Sequence, residues 1–396
     1  MMQISPETQL FIREHSSDDV RVLALQAKKY PDIDMPTAIT QIAGRKVAAE
    51  KIPSWWEIEK IWYPKHLSLE QCSSEITARY KARLLQGDSL TDLTGGFGID
   101  CSFLATGFKS ATYVERQEEL CEIAAHNFPV LNLNHINIKN EDGVTYLQAM
   151  SPVDCLFLDP ARRNEHGGKT VAISDCEPNV AELEELLLQK ANRVMIKLSP
   201  MLDLSLALKE LKQTQEVHIL SVNNECKELL ILLGQTSPAE ISIHCVNLFT
   251  KGTQKEQHFV FTREQEQCSE CTYTDSLETY LYEPNASLLK AGAFRSIAAA
   301  YPVRKLHPNS HLYTSDTFIE NFPGRIFRIV NQCSFNKKEV KENLADLKKA
   351  NVTVRNFPAT VAELRKRIHL AEGGDTYLFA STLNNRQKVL IRCEKV

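Results

Sequence analysis

The chain has 396 residues, 43% of them hydrophobic and 24% charged, with a net charge of −4. That length exceeds one ordinary core and predicts two or three domains, and the composition excludes a disordered or fibrous protein. No apolar run approaches the roughly 18 residues that a membrane span needs, the richest being Leu229-Leu-Ile-Leu-Leu233. The start, Met1-Met-Gln-Ile-Ser-Pro-Glu, lacks the basic and apolar segments of a secretory signal, so a cytoplasmic location is expected. Eleven cysteines, scattered and odd in number, read as reduced packing thiols. The close pair Cys268 and Cys271 has no second pair at finger spacing, so no metal is expected. Charge is unevenly spread: residues 301–396 hold 17 Lys/Arg against 9 Asp/Glu, whereas the first 300 hold 29 against 41. A basic end of this kind suits a polyanion, RNA above all, or else docks on the acidic remainder.

In chain order, residues 1–85 read as a helical domain. Ser17-Asp-Asp precedes an apolar-periodic stretch (Val20, Leu23, Leu25, Ala27) punctuated by Pro31 and Pro36, and the pattern recurs over 37–44 and 74–85. Over 86–263 it changes to short apolar strands at 89–93, 111–115, 136–139, 155–159, 194–198 and 217–222. Helical stretches such as 117–127 and 180–191 lie between them. Such alternation predicts βαβ units and a largely parallel sheet, with ligands outside the carboxyl ends of its strands. Late strands at 241–248 and 258–261 complete the sheet, and the polar stretch 264–279 is the expected linker. Residues 276–396 then read as a basic α+β domain. Its elements are a helix at 286–300, strand 325–330, helix 337–350, strand 352–357, helix 360–370, and strands 376–382 and 386–393 around Asn384-Asn385. The fold expected is α/β, a Rossmann-like sheet between a helical N-terminal domain and a small α+β C-terminal one.

Strand, glycine loop, helix, strand and acid is the order a nucleotide-type ligand requires. In Asp92-Leu-Thr94-Gly95-Gly96-Phe-Gly98 the glycines let the backbone turn sharply and approach a ligand closely. Glu115 ends the next strand, 23 residues after Asp92, where a carboxylate can accept both ribose hydroxyls. The spacing is not that of dinucleotide binding, and a pyrophosphate avoids an acid at a helix start. Asp92 before the glycines suits instead the ammonium of S-adenosylmethionine (SAM), and Asp142 is placed to accept from an adenine amino group. Thr77 and Lys81, four apart on one helix face, could reach the methionine carboxylate, or could be ordinary helix surface.

These motifs, Asp92–Ala105, Val114-Glu-Arg116 and Leu156-Phe-Leu-Asp-Pro160, resemble those of class I SAM-dependent methyltransferases. They are close to those of the small-subunit rRNA guanine-N2 methyltransferases. With Leu69–Ala82 ahead of the loop and Tyr282–Gly292 beyond it, the whole chain resembles bacterial methyltransferases carrying a THUMP-like C-terminal domain. The resemblance implies SAM as cofactor, held by Thr77, Lys81, Asp92, Thr94, Gly95, Gly96, Gly98, Glu115, Arg116 and Asp142.

After the fourth strand stands Asp159-Pro160-Ala161-Arg162-Arg163. Methylases of exocyclic amines usually carry Asn/Asp-Pro-Pro-aromatic there, because a planar amine needs acceptors that take its hydrogens and let nitrogen pyramidalise. Asp159 and Pro160 match, whereas the second proline and the aromatic are replaced by Ala161 and Arg162. Arg162 can stack on a base or, with Arg163, hold phosphates. His166-Gly-Gly-Lys169 is either a flap or a plain loop, and Lys197, ending the fifth strand, faces the same mouth. Trp55, Trp56 and Trp62 read as packing residues. No Pro-Cys dipeptide exists, which disfavours covalent pyrimidine methylation. The reading is an RNA methyltransferase acting on tRNA or rRNA at a base nitrogen, possibly guanine N2. Its rivals are a protein or small-molecule methyltransferase and a non-catalytic RNA-binding protein.

Overall fold

The computed structural model describes residues 4–162, 172–236 and 238–396. Six helices open the chain: α1 (Pro6–Glu14), α2 (Val20–Leu25), α3 (Met35–Lys51), α4 (Pro53–Trp56), α5 (His66–Gln71) and α6 (Glu75–Ala82). Ser5, Asp19 and Asp34 start the first three by accepting from the amides of Thr8, Arg21 and Thr37, which satisfies donors a helix start leaves open. There follow β1 (Ser89–Asp92), α7 (Ile99–Ala105), β2 (Ser110–Glu115), α8 (Glu118–Val130), β3 (Ile136–Asn140), α9 (Gly143–Ala149) and β4 (Val153–Leu158). A two-residue pair, β5 (Ala161–Arg162) and β6 (Cys176–Glu177), precedes α10 (Val180–Lys190), β7 (Ala191–Leu198) and α11 (Leu204–Glu210). Next come β8 (Thr214–Val222), β9 (Glu225–Gly234), β10 (Ser242–Leu248), β11 (Glu256–Thr262) and α12 (Arg263–Cys268). The last part holds β12 (Tyr280–Pro284), α13 (Ala286–Ala291), α14 (Ser296–Ala300), β13 (Arg304–Lys305), β14 (Tyr313–Ser315) and β15 (Gly324–Ser334). It closes with α15 (Lys337–Leu344), β16 (Asn351–Val354), α16 (Val361–Ile368), β17 (Thr376–Thr382) and β18 (Lys388–Lys395).

The chain forms two compact units, Met1–Gln215 with Leu229–Pro238, and Glu216–Glu228 with Ala239–Val396. In the first unit the strands run β3-β2-β1-β4-β7, all parallel, and the 229–234 part of β9 adds antiparallel to β7. Strand order reverses between β1 and β4, the place where open α/β sheets form a crevice at their carboxyl ends. Trp55 and Tyr63 bury in a core with Leu69, Ala78 and Ile99, and this core takes in Phe97 of the glycine loop. Trp62 packs beside that core and stacks on His126, so both tryptophans serve packing as expected. Trp56 is 42% exposed under the Arg45 guanidinium.

In the second unit β8 and β10 pair in parallel and β11 joins β10 antiparallel. A separate seven-stranded sheet has the order β13-β14-β12-β15-β18-β17-β16. It has two apolar cores, one around Leu281, Phe327 and Phe379, the other around Leu344, Leu364 and Leu378. Glu283, 1% exposed, is held by the guanidiniums of Arg325 and Arg355, the pairing a buried carboxylate needs.

Three local expectations change. The expected linker begins as a helix, α12, with a reciprocal capping box between Thr262 and Gln265. Its Glu266 carboxylate accepts from the amides of 294–296, so the segment has a structural task. The single helix expected at 286–300 is two, because Gly292 ends α13 with φ +77. The helix expected at 337–350 stops at Leu344. Among the described residues no helix is long and apolar enough to cross a membrane.

Candidate active site

The first unit brings the acids and glycines of the sequence motifs to one edge of its sheet. Asp92 ends β1, Glu115 ends β2, Asp142 follows β3, Asp159 follows β4, and Lys197 is the penultimate residue of β7. Parallel register aligns them: Asp92 pairs with Tyr113 on one side and Phe157 on the other.

The glycine loop is held by both backbone and side-chain bonds, the Tyr113 hydroxyl donating to the Gly96 carbonyl. Gly95 donates to the Val114 carbonyl at 2.8 Å and Gly98 to the Gly95 carbonyl at 2.9 Å. A Cβ on Gly95 would stand 2.3 Å from the Tyr113 ring, and Gly96 and Gly98 have φ of +53 and +86. These positions therefore need glycine for two different reasons, close approach and left-handed backbone. Gly95→Ala is expected to destabilise the fold by about 1–3 kcal/mol through overpacking, seen as a lowered thermal midpoint.

Asp92 is 1% exposed. Its Oδ1 accepts from the Thr94 amide at 2.9 Å, while Oδ2 is buried without a hydrogen-bond partner. Burial pushes its carboxyl up to about 8, helped by the nearby Asp100, Asp159 and Glu115 and opposed by the Thr94 amide. Glu115 Oε2 accepts from the Gly96 amide and Oε1 from the Gln117 amide, both at 2.9 Å, which fixes the carboxylate against the loop. Asp142 caps α9: its Oδ1 takes the Val144 and Thr145 amides and the Thr145 hydroxyl. Those bonds, the Thr145 amide first, hold its carboxyl below the usual range. Arg116 is exposed, with Nη1 3.5 Å from Glu177 Oε1.

Thr94 ties the two halves of the edge together, its hydroxyl accepting from the Asp159 amide at 2.6 Å. The Asp159 carboxylate pairs with Lys197 Nζ at 2.5 Å. Partial withdrawal from solvent pushes its carboxyl above the ordinary range, against the attraction of Lys197, although the side chain stays 37% exposed and solvent screens that push. Behind Lys197 lies a charge network that sequence reasoning did not anticipate. Lys197 Nζ also lies 3.1 Å from Ser73 Oγ and 3.4 Å from Asp100 Oδ2. Lys81, fully buried, reaches Ser73 Oγ at 2.8 Å and Asp100 Oδ1 at 3.0 Å. Burial opposes ionisation of Asp100, yet the two lysines and the Ser73 hydroxyl hold it down at about 2. Asp100 stands inside the glycine motif, at the start of α7, but nothing in the sequence marks it as buried.

Thr77 and Lys81 thus share a buried face of α6 and are not helix surface. The Thr77 hydroxyl turns back to the Ser74 carbonyl at 3.0 Å. Pro160 is buried directly after β4. The Arg162 backbone lies in β5, but its side chain, Arg163 and the stretch 166–169 lie outside the described residues.

The donors present suit a cofactor with a cationic end. A buried acid with an unpartnered oxygen sits beneath a loop whose backbone a side chain would obstruct, and a second acid lies one strand away.

Comparison with known proteins adds the following. Residues 280–323 match the family described as a ferredoxin-like domain, and residues 324–395 the family described as THUMP domain-like. The crystal structure of a protein from Porphyromonas gingivalis W83, assigned as a methyltransferase, is 34% identical over 100% of both chains, with a TM-score of 0.88. A Streptococcus mutans protein, also assigned as a methyltransferase and solved with SAH, is 13% identical over 40% of this chain and 96% of its own, with a TM-score of 0.30. An rRNA methylase from Streptococcus thermophilus is 14% identical over 40% of this chain and 93% of its own, with a TM-score of 0.29. No curated protein matches the chain.

Proposed function

Because the chain belongs to the class I methyltransferases that carry a THUMP-like C-terminal domain, we propose that it transfers a methyl group from SAM to a base nitrogen of RNA, an exocyclic amine such as guanine N2. The observation that carries the SAM reading is the buried, unpartnered Asp92 Oδ2 beneath the glycine loop. An ammonium is the group that satisfies a buried carboxylate there. SAM supplies a methyl already activated by its sulfonium, so the protein's task is orientation. Glu115 keeps lone pairs for the ribose hydroxyls beyond those used by the Gly96 and Gln117 amides. The Asp142 cap bonds all fall on Oδ1, which leaves Oδ2 for an adenine amino group. Lys81 lends positive charge on the side assigned to the methionine carboxylate, with Thr77 beside it. Asp159 accepts a hydrogen from the target amine, and Lys197 holds that carboxylate in place.

RNA is favoured as substrate by the basic residues 301–396 and by the THUMP-like match. Within that region α15 carries Lys337, Lys338 and Lys341, and α16 ends on Arg365, Lys366 and Arg367. Binding that rests on such cations weakens steeply with salt. The deciding experiment offers labelled SAM and the full-length chain to total RNA and total protein from a strain lacking the gene. Label in RNA supports the reading, and label only in protein overturns its substrate half. Glu115→Ala should weaken SAM binding about 10–150-fold with the fold intact, the loss of charged hydrogen bonds contributing about 1.5–3 kcal/mol. Unchanged SAM affinity by calorimetry would remove Glu115 from the site.

A further inference from the structure

In the second unit, strand register assembles a set of metal-binding side chains that belong to no sequence motif. Glu216 and His218 are two apart on β8, so they share one face of the strand. His244 on β10 stands directly beside His218 in the parallel pairing. On β11, His258 pairs with Val246 and Val260 pairs with His244, so His258 lies diagonally next to His244 on the same face. The Glu216, His218 and His244 ligand atoms all lie within 4.8 Å of one another. We propose that Glu216, His218 and His244 bind one zinc-class divalent ion, which clamps β8 to β10, with His258 orienting the His244 ring.

One separation within the set matches such an ion, and the rest fall within reach of it. Zinc bonds of about 2.0–2.2 Å in a tetrahedron put neighbouring donor atoms roughly 3.3–3.5 Å apart. Glu216 Oε2 and His218 Nε2 are 3.2 Å apart. The His218 and His244 rings are stacked, 16° from parallel with centroids 4.3 Å apart, and a ring nitrogen of each lies within 4.8 Å of the other and of the Glu216 carboxylate. Two imidazoles and one carboxylate form a donor set common in zinc sites, with a fourth position left for water. Calcium and magnesium, which favour oxygen ligands, are disfavoured by it.

The site also has an outer partner and an entrance. His258 Nε2 lies 3.1 Å from His244 Nδ1, the kind of second hydrogen bond that fixes a ligand imidazole's tautomer and orientation. Exposure rises from His218, 2% exposed, through half-buried His244 to exposed His258, so an ion can enter from the β11 side. The sequence expectation of no metal weighed only Cys268 and Cys271. These histidines are 14 to 40 residues apart, and only the register brings them together.

The test uses the full-length chain, freed of metal by chelator and then given zinc chloride alone. Bound zinc is counted by elemental analysis, affinity is measured against a chromogenic chelator, and melting is followed with and without zinc. Expected are about one zinc per chain and a raised melting temperature, since an ion bound only by the folded state stabilises it. The double variant Cys268→Ser/Cys271→Ser should keep that zinc. Glu216→Gln and His244→Ala should each lower affinity more than about tenfold, and His258→Ala by about 10–100-fold, as outer-shell losses do. Glu216→Gln keeps shape and volume, so it remains informative even where His244→Ala folds poorly. Absence of stoichiometric zinc, wild-type affinity in Glu216→Gln, or loss of zinc in the cysteine variant overturns the proposal.

Discussion

Asp92→Asn should weaken SAM binding by about two to four orders of magnitude near pH 8 and abolish the acidic limb of its pH dependence. In the free protein the buried Asp92 carboxyl, pushed up to about 8, is mostly protonated at pH 7. Pairing it with an ammonium requires its charged form, so binding should release close to one proton at pH 7 and tighten as pH rises toward 8. Above that, the amine of the ligand itself begins to lose its charge, and affinity should fall again. Removing one partner of a buried pair costs about 3–5 kcal/mol, which sets the size of the loss. Calorimetry in buffers of different ionisation enthalpy reads the proton release directly, and its persistence in Asp92→Asn would exclude Asp92 as the source. Stability should move in the opposite sense. A carboxyl raised on folding contributes stability that is full below its unfolded value near 4 and lost as pH climbs through about 8. Asp92→Asn lacks that dependence. Across this window its stability should therefore fall less than that of the wild type, by at most about 5 kcal/mol.

The contrast between Asp92 and Asp100 marks what the sequence makes legible. Asp92, Glu115, Asp142 and Asp159 were readable because each stands at or just after a strand end, and strand ends in a parallel sheet converge on one edge. Ser73, Asp100 and the partners of Lys81 and Lys197 were not, because no periodicity links positions up to 124 residues apart. Only three-dimensional packing puts two lysines on one buried carboxylate. The run 229–233 showed the same limit. It was visible as the richest apolar stretch, yet without alternation it gave no sign of being strand β9, which pairs antiparallel with β7. Its residues 229–233 are all fully buried, and full burial erases the period of two. Gly292 was a readable signal of another kind, since a glycine in mid-helix marks a C-terminal cap as readily as a weak interior position. The segment 264–279 was polar enough to suggest a linker. Polarity there serves caps, with Glu266 closing the start of α14.

Asp159→Asn should bind SAM nearly as the wild type does while lowering kcat by about 10²–10³-fold, the scale seen when one preorganised group acting in the transition state is lost. Asn keeps an acceptor oxygen but not the charge, and its amide nitrogen can turn toward the target amine, donor facing donor. The charge matters because the attacking nitrogen becomes cationic as it forms its new bond, and a carboxylate beside it offsets that development. Lys197 decides whether the carboxylate is available. Its ammonium, 2.5 Å away, counters the withdrawal from solvent that pushes Asp159 above the ordinary range. Only the ionised acid offsets that positive charge, so activity should rise as pH passes upward through the Asp159 titration. In Lys197→Met that limb should move to higher pH, with activity recovering at alkaline pH. A residue with a merely structural role would lower activity evenly across the profile. Wild-type turnover by purified Asp159→Asn would rule this carboxylate out of the reaction. Loss of SAM binding in that variant would place it among the cofactor's ligands.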